Sequence, residues 1–561
     1  MRNLFSTLLC LCLLISKAEA RVLPVKLKCY DFHEFLVQES ILPSDNPFLE
    51  TGLSGKFIAP SGKVMQVNGF YDGGGEWKLR FAPNETGIWK YKLSGPNKQF
   101  HQTGKLNCIK GKLPGFIGIH PKNPYAFAYG SGIPFFPMGD TSYGLYDDSP
   151  VTRKLRTAYL DLRRSQSFNF IRMEVCHSQA HGTKDKAYWP WGGTAQQPDL
   201  DRFNPVFFKG LDTLLLQMRS KGMNAELILL NFYRLPFTDT KQWTPVREKR
   251  WLRYLLARYA AFSNVFMWTI SNEYETHPDG AYRLDDPADV EWVSETAKFI
   301  TANDAYQHLV TVHPVISSST TGTSPRAAIE HPWRIGGFFG KESAISVLSQ
   351  QTGQNGPGTS WNKQKGFWEG DDINLARSIR ADRIYGKPVM NTENGYEYLE
   401  GQATMKQQVH STDKVRHASW SIVCSGGYFA AGFNGTLAHS DIWNQIDYPN
   451  RYIFSLKDEG AAAQLKILYK FFSSVSFWTM NPHDDLTGNA VALSDSTTCV
   501  VYLPAGGNLS LGSITSGLPA AQWFNPRSGI NTKADLLKAE GRLNFRAPDT
   551  CDWVLLLRQK S

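Results

Sequence analysis

The 561-residue sequence has no internal apolar run of the roughly 20 residues that a membrane-spanning helix requires. It also contains no Gly-X-Y period and no low-complexity tract, which excludes the collagen-like and compositionally biased classes. The charge is mildly basic, with 60 Lys and Arg against 51 Asp and Glu, and the cations are scattered rather than arranged in a stripe. We therefore expect neither a membrane span nor a nucleic-acid partner, while an anionic substrate stays compatible with the charge.

Three catalytic signatures are also missing. No Gly-x-Gly-x-x-Gly follows the first predicted strand, and the sequence has neither a Gly-x-Ser-x-Gly esterase elbow nor a paired-histidine zinc motif. The segment HEFLV at residues 33–37 lacks the second His of such a motif. We expect no metal and no cofactor.

The first twenty residues have the pattern of a secretory signal. Arg2 precedes an apolar stretch at residues 8–15, and Ala18 and Ala20 supply the small residues of a cleavage site after Ala20. We therefore expect a secreted or periplasmic protein.

Removal of this segment leaves six of the eight cysteines. Export permits disulfides, and the spacing makes Cys29 with Cys108 and Cys499 with Cys551 the plausible pairs. Buried free thiols are an equally good reading of all six.

Length and composition predict several domains. The chain is 42% hydrophobic, and a single core stops growing at roughly 250–300 residues, so we expect two to four domains. Residues 21–112 and 475–561 carry short period-two runs between turn sequences, which predicts an all-β sandwich at each end, the first of them immunoglobulin-like. Residues 116–474 instead alternate apolar strands with amphipathic helical segments.

The central region contains eight candidate strands with crossovers between them. The strands are expected at residues 134–139, 168–175, 225–230, 265–271, 309–313, 345–350, 388–392 and 427–431. Helical periodicity is clearest at residues 206–220, 249–262, 289–301, 373–385 and 413–422. This pattern predicts an α/β fold, a closed (β/α)8 TIM barrel, with an open doubly wound sheet as the structural alternative.

Barrel enzymes carry their working groups at the carboxyl ends of the strands, so the polar residues there are the site candidates. Two acids stand out, because FMWTISNE (266–273) ends in Asn272 and Glu273, and VMNTE (389–393) ends in Glu393. The other candidates for substrate contact are Asp140, Glu174, His177, Asn231, His313 and Gln350. Each of these six could instead have a purely structural role.

Strands four and seven lie roughly opposite each other across a barrel mouth. Two carboxylates placed there suit glycosidic cleavage, in which one acid protonates the leaving oxygen and the other attacks the anomeric carbon or activates water. The sequence leaves retention and inversion open, because the distance between the carboxyl groups decides between them.

These strand ends resemble those of retaining (β/α)8 glycoside hydrolases. On that resemblance Glu273 is the acid/base, Glu393 is the nucleophile, and Asn272 holds the sugar 2-hydroxyl. More narrowly, FFPMGDT (135–141), FNFIRME (168–174) and the paired acids are similar to the apiosidase-like barrel family. Members commonly carry an N-terminal immunoglobulin-like module similar to residues 27–110. They also carry a C-terminal sandwich similar to the one around WFNPRSG (523–529), and such modules are sometimes labelled collagen-binding.

The resemblance predicts a glycoside hydrolase acting on an oligo- or polysaccharide of plant, algal or host origin. Glu at the strand-four position differs from the Asp of the apiosidases, so apiose is not implied as the sugar. Aromatic rings stack on sugar faces, and the expected loop tryptophans Trp189, Trp191, Trp333 and Trp361 are candidate subsite walls, although each could anchor its loop instead.

Two other functions compete with this prediction. A catalytically silent carbohydrate-binding or scaffold protein could keep the same architecture, and a polysaccharide lyase would need a Tyr, His or Lys base in place of two opposed acids. The basic net charge hints at acidic sugars, with Arg172, Arg234 and Arg334 as candidate partners.

Overall fold

A computed structural model describes twenty-one segments of the chain: residues 24–42, 45–49, 52–95, 100–143, 145, 150–175, 189–194, 197–232, 240–281, 283, 286–315, 335–351, 360–362, 367–369, 372–394, 396–397, 409–433, 458–487, 490–512, 520–537 and 541–559. The predicted signal segment 1–20 and the candidates His177, Arg234, Trp333 and Arg334 lie outside these residues. Among the described residues, no helix has the length and apolar character needed to cross a membrane.

The N-terminal region is a two-sheet sandwich. Its strands are β1 (Val25–Lys28), β2 (His33–Gln38), β3 (Ser54–Ile58), β4 (Val64–Asn68), β5 (Phe70–Tyr71), β6 (Glu76–Phe81), β7 (Gly87–Ser94) and β8 (His101–Ile109). One sheet has the order β1-β8-β7-β3-β4 and the other the order β2-β6-β5. Inward residues alternate with exposed ones along β3 and β4, as the period-two pattern predicted.

A small antiparallel sheet precedes the barrel and was not expected. It consists of β9 (Ile117–His120), β10 (Asn123–Tyr129) and β11 (Pro134–Phe135). The rings of Phe127 and Phe135 each lie 5.4 Å from the ring of Phe266. The predicted first strand at 134–139 is therefore corrected, since its first two residues belong to this cap, which fills one end of the barrel.

Eight parallel strands form the central sheet. They are β12 (Met138–Thr141), β13 (Phe170–Glu174), β16 (Asn224–Leu230), β17 (Val265–Ser271), β18 (Leu309–Thr311), β19 (Leu348–Gln350), β22 (Val389–Asn391) and β25 (Tyr428–Phe433), called barrel strands one to eight below. Hydrogen-bonded neighbours follow the order five, four, three, two, one, eight, seven, six.

Strands five and six close the circle through hydrogen bonds outside the regular ladder. The Ser346 N–H donates to the Val310 carbonyl at 2.8 Å, and the Thr311 hydroxyl donates to the Val347 carbonyl at 2.7 Å. The TIM-barrel prediction is confirmed, because an open sheet would leave these two edges apart.

Helices surround the barrel. They are α1 (Pro150–Ser165), α2 (Pro205–Ser220), α3 (Pro245–Tyr259), α4 (Pro287–Asn303), α5 (Ile335–Phe339), α6 (Asp372–Arg383), α7 (Thr412–Cys424) and α8 (Gly460–Ser473). Several begin with a polar cap followed by Pro, and Asn204, Thr244 and Asp286 each accept a backbone N–H at a helix start.

Shorter strands lie in the connections between the barrel strands. They are β14 (Trp191–Gly193), β15 (Pro198–Phe203), β20 (Ser360–Asn362), β21 (Phe367–Glu369), β23 (Tyr396–Glu397) and β24 (Val409–His410). Trp191 and Trp361 therefore lie on strands, which corrects their placement in loops.

The C-terminal region is a second sandwich. Its strands are β26 (Asn481–His483), β27 (Val491–Ser494), β28 (Thr498–Leu503), β29 (Asn508–Leu511), β30 (Ala520–Phe524), β31 (Asn531–Lys533), β32 (Leu543–Arg546) and β33 (Trp553–Arg558). A six-stranded sheet, β26-β27-β28-β33-β30-β31, faces the pair β29-β32. Cys499 is buried in this core and Cys551 is exposed, and both are free thiols, so that pairing is absent from the structure.

Candidate active site

Barrel strand four delivers Asn272 and Glu273 to the mouth of the barrel. The Asn272 N–H donates to the Leu230 carbonyl at 3.0 Å, which extends the ladder one residue beyond the strand. Glu273 then turns sharply, with φ 46° and ψ 65°. This left-handed conformation is uncommon for a residue other than glycine and, where it occurs, often marks a functional site.

A single 3-10 turn holds the backbone of Glu273 in place. The N–H and the hydroxyl of Thr276 donate to the Glu273 carbonyl at 3.0 and 2.7 Å. The N–H of Tyr274, the residue after Glu273, donates to the His313 carbonyl at 3.1 Å. This hydrogen bond connects the turn to the segment that follows strand five. Glu273 is 9% exposed, and its carboxylate therefore has little contact with solvent.

Glu393 occupies the corresponding place beyond strand seven. The Thr392 N–H donates to the Gln350 carbonyl at 3.0 Å, and the Glu393 N–H donates to the Asn391 side chain at 3.3 Å. Glu393 is 7% exposed. Its Oε2 atom lies 3.7 Å from Nη1 of Arg172 and 3.6 Å from Nε2 of His313.

Arg172, on strand two, joins the two strand ends. Its Nη2 atom donates to the Asn272 side-chain oxygen, while Nη1 faces Glu393 and donates to the Tyr143 hydroxyl at 2.9 Å. The side chain is fully buried. Arg172 is thus occupied within the site, which corrects its assignment as a partner for acidic sugars.

His313 is a neutral imidazole beside Glu393. Complete burial, followed by the positive charge of Arg172, holds the pKa of His313 well below its usual range. Its two ring nitrogens have no hydrogen-bond partner among the described residues. A neutral ring there can donate or accept one hydrogen bond at either nitrogen.

Glu174 and Asn231 form a second polar pair at the mouth. The Asn231 amide donates to the Glu174 carboxylate at 2.5 Å, and both side chains are buried. Because residues 172 and 174 are two apart on one strand, Glu174 faces the same interior as Arg172, one layer nearer the mouth. The structure therefore brings Glu174, Asn231 and His313 to the end of the barrel where the two acids lie.

The side chains of Asp140 and Gln350 point toward the surrounding helices and away from the barrel interior. Asp140 is fully buried against α1, where Arg163 and Tyr159 bind its Oδ2 atom at 2.5 and 2.7 Å. Burial raises the pKa of this carboxyl, and the Arg163 charge opposes the rise. The oxygen and the nitrogen of the Gln350 side chain both bond to α6, through Ser378 and Asp382. Strand alternation turns both side chains toward the helices, so their expected substrate contacts are corrected.

The structure also corrects the prediction that Trp189 and Trp191 form subsite walls. Trp189 and Trp191 are 7% and 3% exposed, and the Trp191 ring lies 5.0 Å from that of Trp251 in an aromatic cluster that includes Trp243. Their rings are packed as core residues, so neither presents a free face to a sugar. The side chain of Trp361 lies outside the described residues.

Two site residues escaped the sequence analysis. Tyr143 follows strand one and binds Arg172 through its hydroxyl, and its ring centroid is 5.3 Å from the guanidinium carbon. Glu226 sits inside strand three, with its Oε1 atom 3.4 Å from Nε of Arg172. An acid in the middle of the apolar run NAELILL is a signal that could have revealed Glu226.

The central region matches the family described as "Apiosidase-like, catalytic domain" over residues 121–479. The chain belongs to this apiosidase-like family, and it is a glycoside hydrolase. Residues 26–95 match a domain of unknown function, and residues 481–558 match a family described as "Putative collagen-binding domain of a collagenase". The sequence-based recognition of this three-part architecture is confirmed.

Solved structures have the same fold. One, described as a "putative glycoside hydrolase" from Bacteroides vulgatus, covers 96% of this chain and 100% of its own, with 20% identity and a TM-score of 0.72. A glycoside hydrolase family 5 structure from Bacteroides vulgatus covers 80% of this chain and 95% of its own, with 16% identity and a TM-score of 0.55. No curated protein sequence matches the apiosidase-like chain. The similarity to the two solved structures supports the fold of this glycoside hydrolase.

Proposed function

We propose that this apiosidase-like protein is an exported hydrolase that cleaves a plant, algal or host polysaccharide with retention of configuration. In this mechanism Glu273 protonates the leaving oxygen, and Glu393 attacks the anomeric carbon to form a glycosyl-enzyme. Glu273 then acts as the base that activates water for the second displacement. Export rests on the signal pattern of residues 1–20.

The contact of one buried guanidinium with both strand ends is the observation that carries this proposal. Arg172 bonds to Asn272, next to Glu273, and lies 3.7 Å from Glu393. The strand ends that carry the two acids therefore meet at one guanidinium, which supports the proposal. The positive charge of Arg172 also attracts the negative charge of the carboxylate that would act as the nucleophile.

Asn272 and His313 support the same assignment. The Asn272 oxygen accepts from Arg172, and its amide nitrogen is a donor of the type that binds a sugar hydroxyl. Since His313 is neutral, it adds no second positive charge near Glu393. Within the part of the chain that the structure describes, Arg172 is thus the cation seen beside the proposed nucleophile.

A screen of polysaccharides and aryl glycosides tests the assignment with wild type and Glu393→Gln. We expect the variant to lose activity by about 10³-fold or more, because the nucleophile is removed. Glu248→Gln is the matched control, since Glu248 is a buried glutamate that accepts indole N–H groups from Trp243 and Trp292 on the helical layer. Undiminished cleavage by Glu393→Gln would overturn the nucleophile assignment.

Proton NMR of the first-formed product tests the stereochemistry. Retention is expected when a covalent glycosyl-enzyme forms. Initial appearance of the opposite anomer would replace the covalent step with direct attack by water, and an unsaturated product would indicate a lyase.

A further inference from the structure

A buried carboxylate lies beneath the proposed catalytic centre. Glu226, on barrel strand three, is the direct neighbour of Arg172 in the pairing of strands two and three. Its Oε1 atom lies 3.4 Å from Nε of Arg172 and accepts the Thr269 hydroxyl at 2.7 Å. Glu226, Arg172 and Thr269 are all fully buried. The carboxylate therefore faces the barrel interior below the mouth, where it is shielded from solvent.

The Arg172 guanidinium is engaged at all three of its nitrogens. Nε faces Glu226, Nη1 faces Tyr143 and Glu393, and Nη2 donates to Asn272. A planar guanidinium bound at several nitrogens keeps a fixed orientation. Glu226 holds the end of this group that lies farthest from the proposed reacting atoms.

Charge balance gives Glu226 a second role. A buried cation is costly unless a carboxylate accompanies it. The charged or titratable groups that the structure places beside Arg172 include Tyr143 after strand one, Glu226 on strand three, His313 after strand five and Glu393 after strand seven. Glu174, two residues along strand two, faces the same interior. His313 is neutral, whereas the carboxylates of Glu226 and Glu393 lie 3.4 and 3.7 Å from the guanidinium nitrogens.

We propose that Glu226 is a positioning residue that orients Arg172 and tempers its charge, and so sets how strongly Arg172 holds the attacking carboxylate of Glu393. The inference rests on the proposed function of Glu393. Without the Glu226 charge, the attraction of Arg172 for Glu393 would be offset less. The Glu393 carboxylate would then be held more tightly and would attack the anomeric carbon more weakly.

The experiment compares kcat and KM of wild type and Glu226→Gln on a substrate cleaved in the screen. We expect kcat to fall about tenfold, with KM changed less than about threefold, because the contact acts on the attack of Glu393 rather than on substrate binding. An unchanged kcat in Glu226→Gln would overturn the proposal.

Two further variants separate positioning from folding. Glu248→Gln changes another buried glutamate, one that accepts hydrogen bonds from Trp243 and Trp292, and its kcat should stay at the wild-type value. Glu226→Asp retains the charge and should keep kcat close to the wild-type value even where thermal stability is reduced. An equal fall of kcat in Glu226→Asp and Glu226→Gln would refute the charge argument.

Thr269→Val keeps the proposal testable if Glu226→Gln fails to fold. The substitution removes the hydroxyl that favours ionised Glu226, so a smaller fall in kcat is expected; an unchanged kcat would count against the proposal. If the proposed function itself is wrong, Glu393→Gln remains active. Loss of activity in Glu393→Gln with an unchanged kcat in Glu226→Gln and Thr269→Val would reject the positioning role alone.

Discussion

The Nη1 atom of Arg172 lies 3.7 Å from the Oε2 atom of Glu393, although the two residues are on strands two and seven of the barrel sequence. Both side chains are buried, at 0% and 8% exposure. A charge pair shielded in this way is weakened little by salt and depends strongly on geometry. The contact therefore makes the orientation of Arg172 a requirement of the proposed reaction.

Arg172→Lys tests that requirement. Lysine keeps the charge but cannot bond Asn272, Tyr143 and Glu393 from one planar group. Loss of hydrogen bonds to a charged group predicts a fall in kcat of about 10- to 100-fold. Arg163→Lys is the control, because Arg163 is equally buried but binds Asp140 on the helical side. Equal kinetic losses in the two variants would contradict a specific role for Arg172.

Asp212→Asn tests the docking of the N-terminal sandwich on the barrel. Asp212 of α2 accepts paired hydrogen bonds from Arg80 of β6, at 2.9 and 2.6 Å, and from Arg258 of α3, at 3.0 and 2.8 Å. The variant leaves two buried cations without this carboxylate, so we expect a loss of about 3–5 kcal/mol in the free energy of unfolding.

Urea denaturation followed by tryptophan fluorescence measures this loss. Asp535→Asn is the control, because its ion pair with Lys533 is exposed and should change stability by less than about 0.5 kcal/mol. A similar small change in Asp212→Asn would show that the buried cluster does not hold the two domains together.

Glu397→Gln tests a pH dependence of stability. Burial raises the pKa of Glu397 to about 7, although hydrogen bonds from the Thr412 hydroxyl and the Ala461 N–H act to lower it. In the unfolded chain this carboxyl titrates at its ordinary value of 4.5. Between these two values the folded state binds more protons than the unfolded state, so wild type loses stability as pH rises through that window.

The variant stays neutral and does not lose this stability. Relative to wild type, its free energy of unfolding should rise by up to about 3 kcal/mol between pH 4.5 and 7 and then stay level. Urea midpoints across this range measure the difference. A difference that does not vary with pH would contradict the prediction.

Cys29 and Cys108 are expected to form a disulfide in an oxidising compartment. Cys29 follows β1 and Cys108 lies on β8, its parallel neighbour, with the two sulfurs 2.9 Å apart and both residues buried. Peptide mapping without reductant should recover the two cysteines linked, and Cys108→Ser should lose about 2–4 kcal/mol of stability. Alkylation of both thiols in the unreduced, unfolded protein would contradict this expectation.

The barrel and the positions of Glu273 and Glu393 at strand ends could be predicted because they depend on local patterns. Strand four was predicted at residues 265–271, and the structure has β17 at Val265–Ser271. Helix α2 was predicted at 206–220 and is observed at Pro205–Ser220. Apolar periodicity and helix caps are properties of neighbouring residues, so one sequence is enough to locate them.

The direction in which the strand-end side chains point was harder to predict. Asp140 and Gln350 were nominated because they end strands, yet both side chains point to the helices. Their direction depends on the residue at which each strand enters the barrel, and a shift of one position reverses it. The packing around the barrel depends likewise on residues distant in sequence, as in the contacts of Phe127 and Phe135 with Phe266.

The sequence by itself determined the strand-and-helix order, the sandwich at each end and the placement of Glu273 and Glu393 at strand ends, because all of these follow from local composition and spacing. Only the tertiary structure decided which polar groups share an interior. Arg172, Glu226, Tyr143 and Glu393 come from four different strands, and closure of the barrel brings them together out of solvent. In that buried space the positive charge of Arg172 must be balanced by several partners. The spacing of residues along the sequence does not reveal this requirement.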